Sequence, residues 1–273
     1  MAEHLKAADM VIEIRDARIP RASKNPVLDQ LIGERPRMII LSKADLADPE
    51  KTQEWIRALK SDSQDVLALD LAHDSTAKKQ IIDACMKLTE PKRRKMISRG
   101  IRPRAMRAMV CGIPNSGKST MINRIAGKSV AKTEDKPGVT RSLSWIHCGK
   151  TLDILDTPGV LWPKFDDHKT AVFLAATGAI KEDILDLKEI TGVTIDEICH
   201  LYPGTLEKEY GMDEQSSRED KLKKIAESRN LRKENDLPDE ERAAILFLRE
   251  FRRGKTGRLT LENTDEKEQD LSE

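Results

Sequence analysis

The sequence predicts an α/β unit built on a parallel-rich six-stranded sheet with flanking helices, followed by a C-terminal all-α unit. Short apolar runs at residues 10–14, 38–41, 66–69, 107–111, 143–147 and 152–155 alternate with helix-like stretches, which is the pattern of a parallel sheet covered by helices. After Pro163 the alternation stops and only helical spacing remains. The chain of 273 residues also has room for two ordinary domains, each able to bury a core.

Asp48-Pro-Glu opens the first helix, which runs to about residue 60 with Asp48 as N-cap and Pro49 at the first helical position. A second spans residues 77–89 and a third begins at Lys118. The later helices are expected at 167–177, 181–189, 194–200, 218–229 and 238–253, the last supported by the start Leu237-Pro-Asp-Glu-Glu and by apolar Ala244, Leu246, Phe247 and Phe251. No internal repeat is evident. The expected division is residues 1–164, residues 165–261 and an acidic, disordered tail at 262–273.

Net charge is +1, yet the charges are uneven: residues 87–107 carry nine basic side chains against the single acid Glu90. Such a stretch is either a solvated linker or a surface for a polyanion such as RNA. Few aromatics argue against recognition by base stacking. No run of 18 apolar residues occurs and the start lacks a charged segment followed by an apolar one, so a cytoplasmic protein without membrane attachment is expected. Cys85, Cys111, Cys148 and Cys199 lie far apart with no C-x-x-C pair, which fits reduced, mostly buried thiols rather than a metal cage.

The chemistry is concentrated in Gly112-Ile-Pro-Asn-Ser-Gly-Lys-Ser119, a phosphate-binding loop set between the apolar run Ala108-Met-Val-Cys111 and the helix-like Thr120-Met-Ile-Asn-Arg-Ile125. Backbone N–H groups at a helix start hold polyphosphate, Lys118 reaches the terminal phosphates, Ser119 holds Mg²⁺, and Gly117 permits close approach. Leu152-Asp-Ile-Leu-Asp156-Thr-Pro-Gly159 ends a strand in D-x-x-G. Asp156 is placed to reach the magnesium shell through water, and the Gly159 N–H to contact a γ-phosphate. Between them, Thr140 is the expected second oxygen ligand for Mg²⁺. Before all of these comes Ser42-Lys43-Ala44-Asp45, following the run Met38-Ile-Ile-Leu41. The Asp45 carboxylate can accept from the ring N–H and exocyclic amine of guanine, a pair that adenine lacks, while the Lys43 stem covers the base. An ATP-dependent kinase would share the phosphate loop but has no need of Asp45 or of D-x-x-G at this offset.

This order, base reader first and phosphate loop second, resembles the circularly permuted GTPases, specifically the YlqF-type ribosome biogenesis GTPase A family. The similarity extends over nearly the whole chain, through Val11-Ile-Glu-Ile-Arg-Asp-Ala-Arg-Ile-Pro20, Arg102-Pro-Arg104, Asp156-Thr-Pro-Gly-Val-Leu-Trp-Pro-Lys-Phe165, Thr177-Gly-Ala-Ile-Lys181 and Gly254-Lys-Thr-Gly-Arg-Leu259. It implies a six-stranded GTPase sheet and a helical domain that engages rRNA and ribosomal proteins on the large ribosomal subunit precursor, GTP or GDP as ligand, Mg²⁺, and a monomeric, slow GTPase stimulated by ribosomal particles. Asn115 is the residue type that in related GTPases helps hold K⁺. The resemblance places Asp70 and Leu71 beside the base, so the expected nucleotide contacts are Ser42, Lys43, Ala44, Asp45, Asp70, Leu71, Asn115, Ser116, Gly117, Lys118, Ser119, Thr120 and Gly159.

Several positions depart from the family. Ser42 replaces the Asn of N-K-x-D, and Asp70-Leu71 replaces an Asn-Ser pair, which predicts weaker or less selective guanine binding. Val160 stands where many GTPases carry a water-orienting glutamine. The family's W-F-P-G-H-M segment precedes the part of the family pattern where this chain begins, and His4 aligns within the following helix rather than with the histidine of that segment. An alternative reading is therefore a truncated or divergent, weakly hydrolysing, nucleotide-dependent RNA-binding module.

Overall fold

The computed structural model describes residues 5–127, 144–156, 167–181 and 185–265. The phosphate-loop strand and five others form one sheet in the order β3-β2-β1-β4-β6-β5. Its strands are β1 (Met10–Asp16), β2 (Arg37–Ser42), β3 (Gln64–Leu69), β4 (Met106–Gly112), β5 (Ser144–Cys148) and β6 (Leu152–Asp156). All pairings are parallel except β5 with β6. The register sets Asp16 beside Ser42, Ser42 beside Leu69, Ile14 beside Gly112 and Val110 beside Asp156. Five parallel strands thus end along one edge, where ligands bind in open α/β sheets.

Both faces of the sheet are covered, as parallel strands require. Alternate side chains of β1 (Met10, Ile12, Ile14) pack with Met38, Ile40, Ala108 and Val110 against α3 (Ala77–Ser98) and α4 (Lys118–Ala126). On the opposite face Val11, Met109 and Cys111 meet α1 (Pro26–Ile32), while Ile39, Leu41 and Val66 meet α2 (Pro49–Leu59). The second unit comprises α5 (His168–Ala176), α6 (Leu187–Leu201), α7 (Thr205–Tyr210), α8 (Arg218–Ser228) and α9 (Glu240–Arg252). Its core is continuous with the first unit, because Ile19, Ala22 and Ile113 pack among Phe173, Leu174, Ile190, Phe247 and Phe251.

Five sequence expectations need correction. α1 was not expected, although Asn25 caps it through the Val27 N–H at 3.0 Å and Pro26 opens it. α7 was also missed. The separate helices at 181–189 and 194–200 are one helix, α6. Gly192 lies inside it, where a Cβ would come within 2.7 Å of Arg218 Cδ on α8. The basic stretch at 87–107 is no linker over its first half: α3 continues through Pro91 to Ser98. Thr89 is its last buried residue, so the proline occurs where the helix has left the core. The expected tail also begins too early, since Glu262 is buried and accepts from the N–H groups of Arg21 and Ala22 at 2.6 and 2.9 Å.

Burial pushes the Cys85 thiol up to about 12, which keeps it protonated at neutral pH. Among the described residues no helix is long and apolar enough to cross a membrane.

Asp9 anchors the basic stretch. Its buried carboxylate lies 2.6 Å from Lys92 Nζ, accepts from Arg104 at 2.7 and 3.0 Å, and accepts from the Arg107 N–H at 2.8 Å. Burial alone would raise its pKa, but these donors outweigh it and hold the carboxyl below its ordinary 3.8. A depressed folded-state value contributes stability above the unfolded value and loses it as pH falls. Asp9→Asn is expected to destabilise the protein by about 1–3 kcal/mol at pH 7, allowing for the exposure of Lys92 and Arg104. In thermal unfolding followed against pH, the gap between wild type and variant should close below about pH 4; a gap independent of pH would show that charge is not its source.

Candidate nucleotide-binding site

Gly112 ends β4 pressed against β1, where a Cβ would come within 2.8 Å of the Ile14 carbonyl and of Ser116 Oγ. Gly117, at φ 90°, starts α4 with no side-chain cap, so the first N–H groups of that helix are left for a ligand. Asn115 is left-handed at φ 56°. The Ser116 hydroxyl is buried with no hydrogen-bond partner among the described residues. An uncapped helix start, an unpartnered hydroxyl and a backbone too tight for side chains fit a bound polyphosphate.

Lys118 Nζ lies 2.7 Å from Asp156 Oδ1, with both side chains buried. The residue expected at the terminal phosphates and the one expected near Mg²⁺ are therefore in direct contact. Ser119 and Thr120 follow on the first turn of α4, half-buried. Thr140 and Gly159 lie outside the described residues, as do Val160 and His4.

At the base-reading end, Ser42 occupies an unforeseen role. Its hydroxyl is 2.6 Å from the Ser116 carbonyl and 2.9 Å from the Arg15 carbonyl, with the residue buried. It braces β2 against the phosphate loop, so the shorter side chain suffices because the two backbones approach closely. Lys43, left-handed at φ 56°, donates from Nζ to Asp16 Oδ2 at 2.9 Å. Asp16 also accepts from Arg18 Nε and Nη2 at 2.9 and 2.7 Å. Burial would push the Asp16 carboxyl up; Arg18 and Lys43 beside it reverse that and hold it well below the ordinary carboxylate range.

Asp45 is exposed, and carboxylate oxygens of Asp45 and Asp70 and a ring nitrogen of His73 lie within 4.8 Å of one another. Asp70 Oδ1 accepts from the Ala72 and His73 N–H groups at 2.9 and 3.0 Å, capping the turn after β3. Burial opposes ionisation there, but these bonds and the His73 ring hold the carboxyl below its ordinary value. Leu71 differs from its expected place beside the base: its side chain is buried in the sheet core, and a Cβ on Gly117 would touch it at 3.4 Å. Only its carbonyl is engaged in hydrogen bonding, accepting from Arg124 at 3.1 and 3.0 Å.

Asn115 Nδ2 donates to the Gly178 carbonyl at 2.8 Å, beyond the end of α5. This contact, the Asp16–Arg18 pair and the role of residues 258–263 described below were not read from the sequence. A buried polar run on a central strand, Glu-Ile-Arg-Asp-Ala-Arg18, was the available signal.

A sheet carrying base reader, phosphate loop and Asp156 in that chain order defines a circularly permuted P-loop GTPase. A family profile described as 50S ribosome-binding GTPase matches residues 107–231. The chain is 41% identical over 267 residues to ribosome biogenesis GTPase A of Bacillus cereus, covering 97% of this chain and 90% of that protein. It superposes on GNP-bound YlqF from T. maritima with TM-score 0.69 and 25% identity over 96% of each chain. GDP-bound TM YlqF gives TM-score 0.67 and 26% identity over 96% of this chain and 97% of that one. The chain belongs to the ribosome biogenesis GTPase A family, and it is an enzyme that hydrolyses GTP.

Ser42→Ala removes the single hydroxyl proton shared between the Ser116 and Arg15 carbonyls and is expected to weaken nucleotide binding about five- to tenfold. Titration calorimetry should give the same loss for GDP and IDP, since the brace acts on the phosphate loop. A loss confined to GDP would assign Ser42 to the base instead.

Proposed function

We propose that the chain is a nucleotide-controlled factor for late assembly of the large ribosomal subunit, binding precursor particles with GTP and leaving after hydrolysis. The observation that carries this reading is the seating of the phosphate loop in the helical unit: Asn115 donates to Gly178, and Ile113 lies in the helical core. A change at the γ-phosphate therefore has a direct packing route to residues 165–261, the unit we assign to rRNA and ribosomal proteins. The names of the relatives support the ribosomal target. α3 supports an RNA partner, with Arg94 and Lys95 exposed on it and Arg99 and Arg102 exposed beyond its end.

In this reading Asp45 accepts from guanine, with Lys43 and Ala44 forming the loop beneath it and Asp70 beside it. Lys118, paired with Asp156 in this structure, would turn to the β- and γ-phosphates of a bound nucleotide, a stronger anion. Ser119, Thr140 and Asp156 are the residues that would hold Mg²⁺, with the Gly159 N–H assigned to the γ-phosphate. Mg²⁺, when bound, would neutralise charge developing on the phosphate oxygens. Asn115 spends Nδ2 on Gly178, which leaves Oδ1 as its ligand atom for K⁺.

The switch is tested by affinity for large-subunit precursor particles in the GTP-analogue and GDP states. Tighter binding, by about tenfold or more, is expected with the analogue. Equal affinities would remove the switch. Single-turnover hydrolysis with particles present is expected to be faster in K⁺ than in Na⁺ and to lose that preference in Asn115→Ala; equal rates in the two salts would exclude a K⁺ site.

A further inference from the structure

The loop that carries Asp45 is held from outside by the far end of the chain. Residues 258–263 leave α9 as an extended strap and cross the loops that follow β2 and β1. Arg258 donates from Nε to the Ala47 carbonyl at 3.0 Å and from Nη2 to the Ala44 carbonyl at 2.9 Å. The Leu259 N–H donates to the Leu46 carbonyl at 3.0 Å. The carbonyls flanking Asp45 on both sides are thus engaged by two consecutive strap residues. Thr260 Oγ1 accepts from the Asp48 N–H at 3.2 Å, and the Leu261 N–H donates to the Arg18 carbonyl at 2.8 Å. The Glu262 carboxylate on Arg21 and Ala22 fixes the strap further along.

We propose that Arg258 is a positioning residue for guanine recognition, setting the Ala44–Ala47 backbone that aims Asp45. The base-reading loop needs such support. Lys43 begins it in the left-handed region, a conformation that costs a non-glycine residue about 1–2 kcal/mol and persists where surrounding contacts over-determine it. Its other backbone support is the Leu46 N–H to the Lys43 carbonyl at 3.0 Å within the loop and the Ala44 N–H to the Leu69 carbonyl on β3 at 3.4 Å, besides the Lys43 ammonium on Asp16. A bidentate guanidinium on two carbonyls restrains both the position and the tilt of the segment between them. The turn that precedes the strap also lies close to this loop, since a Cβ on Gly254 would come within 2.8 Å of Leu46 Cδ2. Arg258 touches no nucleotide in this scheme, and its effect is transmitted through Asp45.

The proposal rests on Asp45 as the guanine reader, and the test separates the two. The full-length chain is titrated with GDP and with IDP, which lacks the exocyclic amine, in Mg²⁺ buffer. Wild type, Arg258→Ala, Arg258→Lys and Lys51→Ala are compared, with thermal unfolding of each. Lys51 reaches the strap at Asn263 Oδ1, 2.6 Å away, and its ammonium stands 4.9 Å from the Tyr202 ring. Arg258→Ala is expected to weaken GDP about three- to tenfold and IDP less, lowering the GDP/IDP preference. Arg258→Lys, which keeps the charge and a single donor group, should give an intermediate ratio and carries the same test if the alanine variant does not fold. Lys51→Ala should keep the wild-type ratio. An unchanged ratio in both Arg258 variants, whatever their melting temperatures, would overturn the proposal. A wild type without GDP preference would remove Asp45 as the reader, and the proposal with it.

Discussion

The buried carboxylate of Asp16 is the point on which the remaining structure depends. It ends the central strand β1, is buried, and receives Arg18 through two nitrogens and Lys43 through a third. Burying an ion without partners is costly, and removing one partner of a buried pair costs about 3–5 kcal/mol, so this cluster permits few arrangements. Each partner belongs to a different part of the molecule. Lys43 lies in the base-reading loop, and the Arg18 guanidinium sits 5.3 Å from the Phe251 ring on α9. One carboxylate therefore fixes sheet, base loop and helical unit with respect to one another.

The sheet makes this possible by collecting charge at a single edge. Asp16, Ser42, Leu69, Gly112 and Asp156 all end parallel strands; the register pairs Asp16 with Ser42 and Ser42 with Leu69, and sets Gly112 beside Ile14 and Asp156 beside Val110. Polar groups that would be expensive in mid-sheet find donors there from loops and helix starts. Lys118 and Asp156 follow the same logic, each supplying the other's counter-charge within the site.

Much of the fold was legible because its signals are local. Short apolar runs located all six strands to within a few residues, and Asp48-Pro49 located α2. The phosphate loop was legible because its glycines and lysine are tied to backbone geometry. What escaped depends on distant partners. The continuity of α6 across residues 190–193 escaped, and Leu71 reads as a poor base contact until its side chain is found in the core near Gly117. Ser42 looked deficient beside asparagine, because side-chain reach is visible in a sequence and the separation of two backbones is not. Glu262 looked like the first residue of an acidic tail, for it is its contact with the Arg21 and Ala22 N–H groups, some 240 positions away, that orders it.

Permutation explains why such distant contacts accumulate around the nucleotide. With the base reader placed before the phosphate loop, β2 and its loop are reached early in the chain and cannot be fastened by the elements that directly follow the phosphate loop. The Asp45 loop is instead fastened by the stretch that follows the helical unit, through Arg258 and Leu259. The phosphate loop is fastened to the same unit through Asn115 and Ile113. Base and phosphate ends of the site thus share one support, and a displacement of that unit would act on both together. Coupling of this kind works in both directions, so a partner that grips the helices alters nucleotide affinity by the same factor as the nucleotide alters the grip.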